Sequence, residues 1–231
     1  MKFKERLIQG TLIKRYKRFF ADIKYKNKII VAHCPNTGSM KGLLSIGNKV
    51  WFSKSNNPKR KLKYTLEIIE VNDKKIGINT LLANKIVLDA LHSKKIKPLC
   101  KFENIKTEVK FSDETRFDFL LTNDKEKCFL EVKNVSLFRD KNTAEFPDAV
   151  TARGKKHLLE LIKAKKKGYQ SFILFLIQRE KCNSFKIAKD IDNDYELTFK
   201  KAIINGIKIL CYNCKISDEE IIINKQINYE K

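Results

Sequence analysis

Residues 116–133, "RFDFLLTNDKEKCFLEVK", decide how this chain is read. Two runs of β-favouring residues, 116–121 and 128–133, flank a polar loop over 122–127, which is the pattern of a hairpin. If Leu121 faces Cys128, antiparallel pairing sets Asp118 directly opposite Glu131 and on the same face as Lys133. Phe119, Leu130 and Val132 then point the other way, into a core. A slip of two residues leaves the carboxylates diagonal, whereas an odd slip sends them to opposite faces.

Like charges directly opposite one another destabilise a sheet, and crowded carboxylates resist ionising together. A divalent cation removes the conflict. Hard oxygen ligands on adjacent strands bind Mg²⁺ or Mn²⁺ and leave positions for water and phosphate. Lys133 on the same face is placed to orient the attacking water or to stabilise charge on a scissile phosphate. The plainer alternative is a surface ion pair between Lys133 and Glu131 or Asp118. The acid expected opposite Glu131 favours the metal site, with Asp118, Glu131 and Lys133 as its catalytic group.

Working outward from the hairpin, the chain divides into two parts. Residues 1–82 read as short strands and turns: "FFADIKYKNKIIVAHC" alternates about "KNK", "KVWFSKS" is another strand, and "KYTLEIIEVNDKKIGINT" turns at "NDK". About five strands without a helix predict an OB-like β-barrel, whose closure removes vulnerable edges. Phe19, Phe20 and Trp51 read as its filling. Residues 83–231 carry helical spacing in "NKIVLDALHSKKI", a long helix from about Asp148 with Gly168 as its cap, an apolar strand "SFILFLIQ", and a helix ending at Gly206 before "IKILCYN". The fold class is therefore two-domain α+β, a barrel followed by a mixed α/β domain.

The 231 residues hold 49 Lys and Arg against 27 Asp and Glu, a formal net charge of +22. Such a field attracts polyanions. The basic residues also cluster: "KRYKRFF" sets Lys14, Arg15, Lys17 and Arg18 about Tyr16, and "NNPKRKLKY" adds Lys59, Arg60 and Lys61. Cations contact phosphates and aromatic faces stack bases, the combination used by single-strand-binding OB folds, so the expected partner is DNA, with single-stranded DNA and RNA as its alternatives. The loop "CPNTGSM" offers Asn36, Thr37 and Ser39 either to a phosphate or to its own turn. No apolar run approaches the ~20 residues that cross a bilayer, so a cytoplasmic protein without a membrane partner is expected. The six cysteines form no disulfide framework, and the Cys211/Cys214 spacing lacks the further ligands of a zinc site. No Rossmann fingerprint or P-loop appears, and no organic cofactor is expected.

An Asp, a spacer of about a dozen residues and then Glu-x-Lys resembles the core signature of the PD-(D/E)XK nuclease superfamily. That resemblance implies a further acid upstream, for which Asp89 in "IVLDALH" and Glu108 in "TEVKF" are rivals, and basic groups from the following helix, here Arg153 and Lys156 of "TARGKKHLLEL". His157 reads as a phosphate contact or a structural histidine. The strings "GTLIKRYKRFFAD", "AHCPNTGSM", "NPKRKLKYT", "RFDFLL", "EVKNVSL", "FPDAVTARGKKHL" and "IDNDYE" resemble a narrower group along nearly the whole chain, the sugar fermentation stimulation protein A family. This resemblance implies an OB-like barrel joined to a PD-(D/E)XK-like domain, sequence-nonspecific DNA binding and an indirect link to maltose metabolism. The family tends to have Glu where this chain has Asp89. The leading expectation is a DNA-binding protein with a divalent-metal nuclease-like site. The alternatives are a non-enzymatic DNA-binding regulator and an RNA-binding or RNA-processing factor, since a basic field does not distinguish the sugars.

Overall fold

The structure, a computed structural model, describes residues 1–40, 42–140 and 142–230. The barrel comprises β1 (Ile8–Tyr16), β2 (Phe20–Tyr25), β3 (Lys28–His33), β4 (Lys49–Lys54) and β5 (Tyr64–Val71), with β6 (Lys74–Gly77) added at the side of β5. Strands run in the order β3-β2-β1-β4-β5, and a parallel pairing of β3 with β5 closes the ring. Asn72 and Asp73 turn β5 into β6 with both φ angles positive, at 51° and 56°, as a two-residue hairpin requires. Leu12, Ile23, Val50, Phe52, Leu66 and Ile69 fill the interior. A Cβ on Gly10 would lie 2.6 Å from Ile23 Cγ2, so β1 and β2 approach this closely only with glycine there.

The aromatic residues expected to fill the barrel lie elsewhere. Phe19 sits in the β1–β2 turn beside Lys17 and Arg18, both in the left-handed region; it is 43% exposed and stacks on His33. Phe20 is half-buried and stacks on Tyr16 at 5.4 Å. Trp51 falls between Val50 and Phe52, so strand alternation turns it outward when they point in. It packs into the core of the second domain, under the Lys75 ammonium.

That second domain begins with α1 (Ala83–His92), followed by β7 (Asn104–Ser112), β8 (Thr115–Thr122), β9 (Lys127–Val135), β10 (Thr143–Phe146), α2 (Ala152–Lys166) and β11 (Gln170–Ile177). Then come β12 (Ser184–Ile187), α3 (Asn193–Ile204), β13 (Lys208–Ile216), β14 (Ile221–Gln226) and β15 (Asn228–Tyr229). A mixed sheet in the order β14-β13-β11-β9-β8-β7 is parallel at its centre and antiparallel at both sides; β10, β12 and β15 form a small parallel sheet. One face of the large sheet (Phe119, Leu130, Leu174, Leu210) packs with α1 residues and with Trp51 and Ile68 of the barrel. The other face (Phe129, Ile173, Phe175) packs with α2 and α3 residues. Burial on both faces explains the unbroken apolar run of β11.

Helix ends follow their capping chemistry. Thr151 Oγ1 accepts from Gly154 N at 3.0 Å, so α2 starts at Ala152 rather than near Asp148, and Gly168 with φ +89° ends it. Asp192 caps α3 through Tyr195 N, and Gly206 with φ +80° follows it. Residues 1–7, which the sequence groups with the barrel, attach to the second domain: Phe3 N donates to Glu219 O at 2.9 Å and Leu7 N to Asp218 O at 2.8 Å. All six cysteines are free. Cys211 and Cys214, three apart on β13, enter opposite cores and cannot share an ion. Among the described residues, no helix is long and apolar enough to cross a membrane.

Candidate metal centre

The hairpin has the register that its sequence predicts: Leu121 pairs with Cys128, Leu120 with Phe129 and Phe119 with Leu130. Asp118 is next in line toward Glu131. Its carboxylate takes over from the backbone ladder there, since Oδ2 accepts from Val132 N at 2.7 Å. On the other side of β8, the pairs Thr107–Phe119 and Val109–Phe117 bracket Glu108 against Asp118. Glu108 holds φ +53°, an uncommon conformation for a residue within a strand.

Glu131 is 2% exposed. Its Oε1 receives Lys133 Nζ at 2.7 Å and a short hydrogen bond from His157 Nδ1. With the proton on Nδ1, His157 Nε2 is left to accept from Arg153 Nε at 3.5 Å. Glu131 Oε2 is buried and has no partner. Burial alone would push this carboxyl up, but the His157 hydrogen bond and the Lys133 charge outweigh it and hold it below the usual range. Asp118 goes the other way: burial first, and then the charge of Glu131, push it up to about 6. Two neighbouring carboxyls are thus driven apart by their surroundings.

A cleft of about 730 Å³ opens over Asp118, walled by Asn84, Glu108, Arg153, Lys156 and His157. Among the described residues, no three His, Cys, Asp or Glu side chains form a metal-holding group. A side-chain set of two carboxylates nevertheless suits a small hard cation, which is held through one or two carboxylates and keeps several waters. The unpartnered Oε2 of Glu131 is the acceptor that such an ion would satisfy.

The remaining candidates scatter. Asp89 accepts from the Met1 ammonium at 3.0 Å, lies on the exposed side of α1 and does not line the cleft. Asn84, which sequence reading missed, reaches the site instead and donates Nδ2–H to Asp118 Oδ1 at 2.7 Å. It occupies the first turn of α1, where a cleft-facing polar residue was the one signal available. Lys156 reaches across to Glu114 Oε2 at 2.7 Å. On the barrel, Lys17, Arg18, Lys59 and Lys61 are exposed, Tyr16 is half-buried, and Lys14 lies 3.5 Å from Asp22. Arg60 donates to Thr65 Oγ1 at 2.7 Å. Arg15 is bound to the fold, donating to the carbonyls of Arg18, Asn36 and Gly38. Asn36 is 2% exposed, gives Nδ2–H to Ile78 O and takes Gly38 N on Oδ1, so it satisfies its own turn. Thr37 and Ser39 remain exposed.

Comparison with known proteins gives this architecture its relatives. Residues 13–78 match the family profile "SfsA N-terminal OB domain", and residues 81–220 match "Sugar fermentation stimulation protein RE domain". A sugar fermentation stimulation protein homolog from Pelagibacter ubique is 57% identical over 227 residues, covering 98% of each chain. A homolog from Pseudoalteromonas atlantica is 46% identical over 231 residues, again covering 98% of each. The structure of Pyrococcus furiosus SfsA in complex with Ca²⁺ superposes with a TM-score of 0.88 at 25% identity, over 100% of this chain and 98% of that one. An OB barrel, a nuclease-like α/β domain and relatives matched end to end make this chain a member of the sugar fermentation stimulation protein (SfsA) family.

Proposed function

We propose that this protein binds DNA without sequence preference and hydrolyses its phosphodiester bonds with a divalent cation, Mg²⁺ or Mn²⁺, held by Asp118 and Glu131. The observation that carries this reading is the buried Glu131 Oε2, left without a partner next to a second carboxylate. Most buried side-chain polar atoms are hydrogen-bonded, so an exception calls for a partner such as an ion. The relative from Pyrococcus furiosus was solved with Ca²⁺, a hard oxygen-seeking ion of the same ligand class.

When bound, the cation supplies Lewis acidity for the water and the scissile phosphate. The chain's own residues set the geometry. His157 and Lys133 together anchor Oε1 of Glu131, which fixes the carboxylate and leaves Oε2 toward an ion. Asn84 and Val132 N fix Asp118 from two sides. Arg153 and Lys156 on the cleft wall attract the phosphodiester backbone and neutralise its charge.

Labelled single-stranded and duplex DNA and RNA incubated with Mg²⁺ or Mn²⁺, beside a Glu131→Ala control, test the reading. Cutting by the wild type that disappears in the control is expected. Cutting that survives in Glu131→Ala removes this residue from the mechanism, and no cutting of any substrate leaves a DNA-binding regulator.

A further inference from the structure

A second cleft, of about 810 Å³, lies on the barrel side of α1, bounded by the N-terminal segment, β4 and β5. Its walls carry six Lys or Arg residues against two Glu among the described residues, and its floor is polar, with Ser53, Thr65 and Asn79. His33 lines the cleft, and the exposed Phe19, just outside that lining, stacks on its imidazole with centroids 6.5 Å apart and planes 18° from parallel. Burial, and after it the charge of Arg60, lower the affinity of His33 for a proton, which favours the uncharged ring. The result is a pair of near-parallel rings, one in the wall of a cationic groove and one beside it. Leu82 and Lys85 also line this cleft, while Asn84 between them lines the cleft over Asp118. The first turn of α1 is therefore a wall common to both.

A cationic groove with a ring pair at its wall has the two parts of a single-strand site: cations that track phosphates and a platform for unpaired bases. Duplex bases are stacked on one another and hide their faces, so a platform of this kind adds nothing to duplex binding. We propose that the barrel cleft is a single-strand subsite: bases rest on Phe19 and His33, phosphates follow Lys54, Arg60 and Lys85, and the strand passes over the first turn of α1 to the cleft over Asp118. The proposal rests on the nuclease-like reading for its destination, and it names the substrate class, a single strand of nucleic acid.

The test is fluorescence anisotropy in EDTA, where cutting does not contribute, with labelled oligothymidylate, oligouridylate and a DNA duplex of equal length on the full chain. The wild type binds both single strands more tightly than the duplex. Phe19→Ala, in an exposed turn and checked for an unchanged melting temperature, weakens single-strand binding by about tenfold and leaves the duplex unaffected. Lys54→Ala and Lys85→Ala each lower the slope of log affinity against log salt by roughly 0.7 for a single strand. Equal affinity for single strand and duplex overturns the proposal, as does Phe19→Ala binding like wild type. Either result leaves metal-dependent cutting at Asp118 and Glu131 to be judged on its own assay.

Discussion

Two glutamates in this molecule are buried to nearly the same degree, Glu67 at 5% exposure in the wall of the barrel cleft and Glu131 at 2% behind Asp118 and His157, and they are treated oppositely. Glu67 Oε1 takes the Ser53 hydroxyl at 2.7 Å and Oε2 takes the Asn79 amide at 2.7 Å, so neutral donors satisfy both oxygens. Burial remains the largest influence on it and pushes its carboxyl above the usual range. Glu131 has its donors, Lys133 and His157, on one oxygen and none on the other, and it is held below the usual range against its burial. Burial alone therefore does not mark a functional acid. What sets Glu131 apart from Glu67 is a carboxylate held in its charged form with one oxygen unpartnered.

The largest expected effect comes from breaking the charged arrangement at Glu131. Lys133→Met strips a buried carboxylate of its cation, with 13% and 3% of the two side chains exposed, and should cost about 3–5 kcal/mol in chemical denaturation. In a Glu131→Gln background the same change should cost far less, because no buried charge is left uncompensated. Equal costs in both backgrounds would show that Lys133 acts through its packing and not through this pair.

Asp118 comes next. Its folded pKa of about 6 lies above the ordinary aspartate value of 3.8, so the folded protein binds the proton more tightly than the unfolded chain does. Its contribution to stability is therefore fully present below about pH 4, is lost as pH rises toward 6, and is constant above that. In EDTA the loss across that window is on the order of 2–3 kcal/mol. Asp118→Asn should flatten this part of the profile and make the metal-free protein more stable at neutral pH. A wild-type profile that is level between pH 4 and 6 would contradict the assignment.

Much of this geometry was legible from local pattern. The hairpin register could be read because two alternating runs and a short loop leave one pairing that buries Phe119 and Leu130 together. The caps of α2 and α3 were marked by Gly168 and Gly206. What stayed hidden depends on long-range packing. Whether Asn84 or Asp89 faces the site is set by the rotation of α1, which Ala83, Ile86, Val87 and Ala90 fix against the sheet and the barrel. The bond from His157 to Glu131 joins residues 26 apart on different elements, and no spacing rule connects them. The strands β10, β12 and β15 are too short to show alternation and pair in parallel with distant segments. Arg15 looked like a phosphate ligand because its commitment to carbonyls of the 36–38 loop is invisible until the chain has folded.

The smallest expected change, that of metal-free Glu67→Gln, sharpens the comparison most directly, because the same substitution is made at both glutamates. A ligand that binds only the folded state raises stability by about 2.7 kcal/mol at a hundred times its dissociation constant. Mg²⁺ titrated against thermal unfolding should produce such a rise in the wild type and in Glu67→Gln, and none in Glu131→Gln. Without metal, Glu67→Gln should change stability by less than about 1 kcal/mol, since an amide that turns to suit Ser53 and Asn79 keeps both hydrogen bonds and loses only a charge that its surroundings disfavour. If Glu67→Gln abolished the Mg²⁺ response and Glu131→Gln kept it, the ion would belong to the barrel cleft, and an unpartnered oxygen would have been the wrong guide to it.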